Sequence, residues 1–294
     1  MTRPRVGIVG VGAMGMGVAK ALLAKGFAVV VRDLVPGREA EAVAAGAKRA
    51  ASPREVVAQV DVLISLVVDA AQTHDVLVED PWVATGLTVM MCSTIAPADS
   101  EGVAAALARR GIEMLDAPIS GGPGRAHAGT LSMMAAGSEE AFARCKPVFE
   151  GFTAKCFRVS NRPGDGSRMK VVNNMAAAAN LAAGAEAMAL AARLGLDLAQ
   201  VIDVVQSSSG ASWMFGEHMP RAIAGDYRTR AAARVLHKDV GLFVDVARAA
   251  GIEPEMARAT LEVYRDTVAR GYAEEDLAAV LKRYGDLWDV EVPR

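Results

Sequence analysis

The sequence predicts an α/β fold: a parallel sheet covered by helices, followed by an all-α domain, the two joined by a long helix. Three observations predict it. Short β-rich runs alternate with Ala-rich helical stretches to about residue 160, the pattern of a doubly wound parallel sheet. A breaker cluster, Arg162-Pro163-Gly164-Asp165-Gly166, then interrupts the alternation. After it the helical period continues to the carboxyl end, with no alternating run for another strand. The expected domains are therefore 1–163 and 164–294.

Each element has its own signal. Strands are expected at Arg5–Val9, Ala28–Arg32, Val62–Leu66, Thr88–Met91, Glu113–Leu115, Ser132–Ala136 and Lys155–Val159, where β-branched and apolar residues cluster. Helices are expected between them at Ala13–Lys25, Pro97–Arg110 and Glu139–Phe149, opened by Pro or Ser near the first turn. Ser167–Leu194, rich in Ala and Met, is the long helix. Leu198–Gln206, Met219–Ile223, Ala231–Ala250, Glu255–Arg270 and Asp276–Tyr284 complete the helical half.

Composition narrows the function classes. With 294 residues, 52% of them hydrophobic, the chain can build two cores. The 32 basic and 34 acidic residues leave a net charge of -2, no field for a polyanion, so nucleic acid is not an expected partner. Apolar runs such as Val62 to Val68 are of strand length, far below the roughly 20 residues that cross a bilayer, so no membrane is expected. Met1-Thr2-Arg3-Pro4-Arg5 leads directly into a strand without the apolar region of a signal peptide, and the expected location is cytoplasmic. Cys92, Cys145 and Cys156 have no CxxC spacing, and His74, His127, His218 and His237 have no ligand spacing. No metal is expected.

The strongest motif comes first in the chain. Val6-Gly7-Ile8-Val9-Gly10-Val11-Gly12-Ala13-Met14-Gly15 sets GxGxxG between the first strand and the first helix. Gly10 serves the tight turn, Gly12 the approach of a pyrophosphate, and Gly15 the packing of helix on strand. The amides of Ala13 and Met14 would face the dianion at the positive end of the helix. This is the fingerprint of a Rossmann dinucleotide site. Asp33, 18 positions after Gly15 at the end of the second strand, suits the ribose hydroxyls and favours NAD. Arg32 and Arg38 beside it keep NADP open, because either cation can offset the carboxylate that repels a 2′-phosphate.

Four further segments resemble the β-hydroxyacid dehydrogenase family over nearly the whole chain. Met91-Cys92-Ser93-Thr94-Ile95 is similar to its nicotinamide loop, and Asp116-Ala117-Pro118-Ile119-Ser120-Gly121-Gly122 to its substrate-binding signature. Gly164-Asp165-Gly166-Ser167-Arg168-Met169-Lys170-Val171-Val172-Asn173-Asn174 is similar to its catalytic signature, and Lys238-Asp239-Val240-Gly241-Leu242 to its cofactor-side helix. Within the family, Ala211 through Tyr227 is similar to the L-threonate dehydrogenase subgroup, which implies a short polyhydroxy acid. Two positions depart from the pattern: Asp69, after Val67-Val68, where Asn is commoner, and Arg234, where Leu or Asp is usual.

The resemblance implies an oxidoreductase that moves a hydride between a small hydroxy acid and a nicotinamide. It also implies roles. Lys170 would exchange the hydroxyl proton, eased by apolar neighbours that disfavour its charged form, and Asn174, four residues on, would share its helix face and hold the substrate. Ser120 with the amides of Gly121 and Gly122 would take the carboxylate, or the three would simply form a turn. Val67, Val68, Ser93, Thr94 and Lys238 would line the cofactor, although Ser93 and Thr94 could equally cap a helix and Lys238 could pair with Asp239. Trp213 and Arg234 would reach the substrate; Trp213 could instead pack in the core. Alternatives are a 3-hydroxyisobutyrate dehydrogenase, a tartronate or succinic semialdehyde reductase, or a non-catalytic dinucleotide sensor, which would not need Lys170 and Asn174. The Ala-rich helices imply a homodimer or homotetramer.

Overall fold

The computed structural model describes residues 3–79, 82 and 86–294; Met1 and Thr2 of the N-terminal pentapeptide lie outside them. The chain divides into two compact units, Met1–Lys170 and Val171–Arg294. The division falls inside a helix, a few residues beyond the breaker cluster that the sequence offered as the boundary.

In the first unit, strands β1 (Val6–Val9), β2 (Val29–Arg32), β3 (Lys48–Arg49), β4 (Val62–Ser65), β5 (Thr88–Met91), β6 (Glu113–Asp116), β7 (Ile119–Ser120), β8 (Leu131–Ala136) and β9 (Thr153–Ser160) form one sheet. Its order is β3-β2-β1-β4-β5-β6-β8-β7, with β9 paired to β8. The strands from β3 to β6 run parallel, and the order reverses between β1 and β4. A ligand crevice opens at such a reversal, beyond the carboxyl ends of the strands.

Side chains alternate between two cores, one on each face of the sheet. Val6, Ile8, Val29, Val31, Val62, Ile64 and Met90 join one with helix α1 (Ala13–Ala24) and helix α7 (Glu139–Phe149). Val9, Val30, Leu63, Val89 and Met91 join the other with helix α5 (Pro97–Ala108). Burial on both faces is why these strands read as unbroken apolar runs rather than as alternation. Helices α2 (Pro36–Ala44), α3 (Pro53–Val57), α4 (Ala70–His74) and α6 (Gly122–His127) fill the remaining crossovers.

The sequence expectation missed these four helices and strands β3 and β7: α3, α4, α6 and the two strands are too short to repeat an apolar pattern, and α2 buries only Glu39 and Ala42. It is also corrected on direction: β6 and β7 both pair antiparallel with β8. β7 continues β6 in the same direction across Ala117-Pro118, and β8, which returns after α6, runs antiparallel to both, so the sheet is mixed at that edge.

The second unit is helical. Helix α8 (Asp165–Arg193) spans the division and is followed by α9 (Leu198–Gln206), α10 (Trp213–Ile223), α11 (Ala233–Ala249), α12 (Glu255–Thr267) and α13 (Val280–Trp288). Met175, Leu181 and Met188 from α8 pack with Phe215 and Met219 from α10, Val240 and Val244 from α11, and Tyr264 and Tyr284. By length and composition α8 could cross a membrane. Its buried face belongs to this core. Helix α10 begins at Trp213, six residues before the expected Met219, because the Ser212 hydroxyl accepts the Phe215 amide at 3.1 Å and caps it.

Candidate active site

The glycine loop has the geometry that a pyrophosphate requires. Gly10 has φ +93, and a Cβ there would lie 2.5 Å from the Leu66 carbonyl oxygen. A Cβ on Gly15 would lie 2.0 Å from the Gly10 carbonyl oxygen, so helix and strand touch as the fingerprint demands. Gly12 differs from both. A Cβ there would meet only the Arg38 guanidinium at 3.9 Å. Gly12 also caps α1, which has no side-chain cap and no acid in its first turn. The positive end of the helix therefore faces open space, a cavity of about 220 Å³ lined by Val11, Gly12, Ala13, Met16, Arg38, Glu41 and His127. A dinucleotide phosphate fits this donor set.

Asp33 stands at the end of β2 with both carboxylate oxygens engaged. One accepts the Val11 amide and the other the Val35 amide, each at 2.8 Å, so the carboxylate is tied to the loop itself. Arg38 lies 3.7 Å from it and is half exposed. Arg32 has a closer partner. It is largely buried and donates to Glu39 at 2.7 Å.

The other expected cofactor residues follow the neighbouring strands. Val67 packs against the second core, whereas Val68 is exposed. Asp69 accepts the Gln72 amide at 2.9 Å and caps α4, a task Asp performs as well as Asn. Ser93 and Thr94 follow β5. The capping alternative fails for both, because α5 starts after Ala96 with no side-chain cap. The Ser93 hydroxyl is buried with no hydrogen-bond partner among the described residues, a group left for a ligand.

Lys170 is held by an anchor that sequence reasoning missed. Asp116, fully buried at the end of β6, accepts the Gly164 amide at 2.8 Å, the Ser167 amide at 2.9 Å and the Ser167 hydroxyl at 2.8 Å. It thus caps the first turn of α8 from across the unit. Burial pushes its carboxyl above the ordinary 3.8, against the pull of those bonds from Ser167 and Gly164. Gly166 lets this turn lie against the sheet: a Cβ would stand 2.5 Å from the Asp116 carbonyl oxygen. Lys170 sits one turn further on and is buried, while its neighbour Met169 faces outward at 45% exposure. Ser120 ends β7 opposite Ser132, and Gly121 and Gly122 open α6 with φ of +133 and +73.

In the second unit Asn174 donates to Asp239 at 2.7 Å and accepts from the Asn173 amide group at 3.1 Å. Lys238 lies 2.9 Å from the other oxygen of Asp239. Asp239 therefore orients two expected site residues at once. Arg234 is paired with Glu274 at 2.7 Å and half exposed. Trp213 is half exposed at the start of α10, edge-on to His218, whereas Phe215 is the residue that enters the core. Among the described residues no group of three or more His, Cys, Asp or Glu is placed to hold a metal.

A switch-point crevice, an uncapped helix end over a bare glycine and a carboxylate at the end of β2 define a dinucleotide-binding protein. Comparison with known proteins agrees. Residues 5–160 match the NAD-binding domain of 6-phosphogluconate dehydrogenase, and residues 164–284 match the NAD-binding domain of NADP-dependent 3-hydroxyisobutyrate dehydrogenase. The L-threonate dehydrogenase of Escherichia coli (strain K12) is 40% identical over 287 residues, covering 96% of this chain and 95% of that protein. The NAD-dependent L-serine dehydrogenase of Pseudomonas aeruginosa is 34% identical over 291 residues, covering 95% and 97%. A crystal structure of 3-hydroxyisobutyrate dehydrogenase from Salmonella typhimurium has TM-score 0.89 and 43% identity, covering 95% of this chain and 99% of that one. The chain belongs to the β-hydroxyacid dehydrogenase family. It is an NAD(P)-dependent dehydrogenase acting on the CH–OH group of a small hydroxy acid.

Proposed function

We propose that the substrate is a short polyhydroxy acid of the L-threonate kind, oxidised with NAD, and that Lys170 takes the hydroxyl proton. The observation that carries the mechanism is the burial of Lys170 one turn beyond the Asp116 anchor. Oxidising an alcohol removes a hydride from carbon and a proton from oxygen. The nicotinamide, when bound, supplies the hydride acceptor. Gly12, Ala13, Met14 and the rest of the α1 terminus receive the pyrophosphate, Asp33 the adenosine ribose, and Ser93 and Thr94 the other ribose, with Val67 and Val68 beside them. Ser120 and the amides of Gly121 and Gly122 hold the carboxylate. Asn174, oriented by Asp239, holds a hydroxyl while the Lys170 amine accepts its proton.

The substrate class rests on the 40% identity to a protein named L-threonate dehydrogenase. Arg234, half exposed and paired with Glu274 at 2.7 Å, is left out of the proposed site. A site that hydrogen-bonds extra hydroxyls rejects analogues lacking them by about 10⁴-fold, far more than an apolar pocket rejects a methyl. The second reading, 3-hydroxyisobutyrate, is favoured by the name of the structure at TM-score 0.89. A panel of L-threonate, D-erythronate, L-serine, 3-hydroxyisobutyrate and glycerate with NAD and NADP decides between them. L-threonate with NAD is expected to have the highest kcat/KM; first place for 3-hydroxyisobutyrate overturns the polyhydroxy assignment. We also propose a homodimer or homotetramer in the cytoplasm. Support comes from Val172 and Leu190 on the exposed side of α8, from the exposed Leu194 just beyond it, and from three free cysteines. A monomer mass by light scattering counts against the assembly.

A further inference from the structure

We infer that Glu39 sets the choice between NAD and NADP by keeping Arg32 away from the adenosine ribose. The inference rests on the dinucleotide reading of the glycine loop. Glu39 lies in the first turn of α2 and is 1% exposed. One carboxylate oxygen accepts the Arg32 guanidinium at 2.7 Å and the Asp33 amide at 3.0 Å; the other lies 2.8 Å from the Arg49 guanidinium on β3. Burial pushes its carboxyl up, but the Asp33 amide, Arg32 and Arg49 together hold it below its ordinary 4.5, so it is an anion at neutral pH. Arg32 is thereby drawn under the end of β2.

The consequence falls on the next residue. Asp33 presents its carboxylate to the ribose, and the cation that its own neighbour could offer a 2′-phosphate is already spent on Glu39. Arg38, half exposed beside Gly12 and 3.7 Å from Asp33, is too loosely paired to cancel that carboxylate alone. Replacing Glu39 by Gln keeps the shape, removes one negative charge from the cluster and releases Arg32. A freed guanidinium next to the ribose is the planar donor that binds phosphate well.

The test separates binding from turnover. Calorimetry on the cofactor-free chain at fixed low salt compares adenosine 2′,5′-bisphosphate with 5′-AMP, and NADPH with NADH, for the wild type, Glu39→Gln and the double variant Glu39→Gln with Arg32→Ala. Glu39→Gln is expected to raise the preference for the 2′-phosphate about tenfold or more. Arg32→Ala in that background is expected to return it to the wild-type ratio. An unchanged ratio, or a gain that survives loss of Arg32, overturns the inference. If Glu39→Gln fails to fold, Glu39→Asp keeps the charge but retracts it by one methylene. A smaller shift in the same direction is then expected, and no shift in that folded variant is equally fatal. A wild type that already prefers NADPH defeats the NAD assignment above, while the change between variant and wild type still decides the role of Glu39.

Discussion

Gly12 and Gly15 stand three residues apart in one loop, yet alanine should act on them in opposite ways. At Gly12 the backbone has φ −62 and ψ −169, which any residue adopts, and the added methyl meets nothing closer than Arg38 at 3.9 Å. Alanine caps a helix less well than glycine, a cost of under about 1 kcal/mol, and narrows the unfolded chain, a gain of about 0.4–1 kcal/mol. These nearly cancel. The methyl does, however, stand where the phosphate must reach the first amides of α1, and losing hydrogen bonds to a charged group costs about 1.5–3 kcal/mol. NADH should bind roughly 10–100-fold more weakly, with the melting temperature almost unmoved. At Gly15 the methyl would sit 2.0 Å from the Gly10 carbonyl oxygen, and backbone must move. Overpacking of about 1–3 kcal/mol lowers the melting temperature by roughly 2–12 °C in a unit of this size. Calorimetric titration with NADH and scanning calorimetry read the two effects separately. A Gly12→Ala chain that binds NADH within twofold of wild type refutes the placement of the pyrophosphate, and a Gly15→Ala chain that melts with wild type refutes the contact.

Lys170→Ala is expected to lower kcat by about 10²–10⁴ while NADH affinity, measured by fluorescence titration, stays near wild type; turnover close to normal would remove Lys170 from the mechanism. Asp33→Ala should weaken NADH more than NADPH and also lower the melting temperature, because the buried Val11 amide loses its acceptor. Equal losses for the two cofactors would mean that only the loop was damaged. Asp276 is fully buried; burial raises its carboxyl, but His218 and the amides of Arg230 and Ala278 outweigh that and hold it below 3.8. A lowered carboxylate stabilises the fold above its unfolded value and ceases to do so as pH falls through the lower, folded one. Asp276→Asn should therefore destabilise by ~3 kcal/mol at pH 7 and by progressively less below about pH 4 in urea titrations, whereas a pH-independent loss contradicts the charge-based account.

What the sequence revealed was whatever repeats or clusters locally. The β1 to α1 loop carries its chemistry within Gly10, Gly12 and Gly15, and both cores show in the apolar runs of β1, β2, β4 and β5. Short connectors did not show: Gly122-Pro123-Gly124 reads as a breaker, yet it opens α6, because Pro is welcome in a first turn where its missing amide costs nothing. The polar anchors were hidden for a different reason. Asp116 lay inside a quoted motif, but its partners Gly164 and Ser167 are 48 and 51 residues away, and no periodicity encodes a pairing at that separation. Nor does residue type alone reveal it, since an Asp at a strand end is as often a surface turn. A GxxS pattern at a helix start with no acidic or hydroxyl cap just before it is the available signal. The amides at 164 and 167 must be satisfied, and when no local side chain does so, a distant buried carboxylate has to. The same reasoning applied to α1 gives the opposite result. There α1 has no side-chain cap among the described residues, and that difference between two helix starts of one chain separates a terminus closed by a distant carboxylate from one open to an anion.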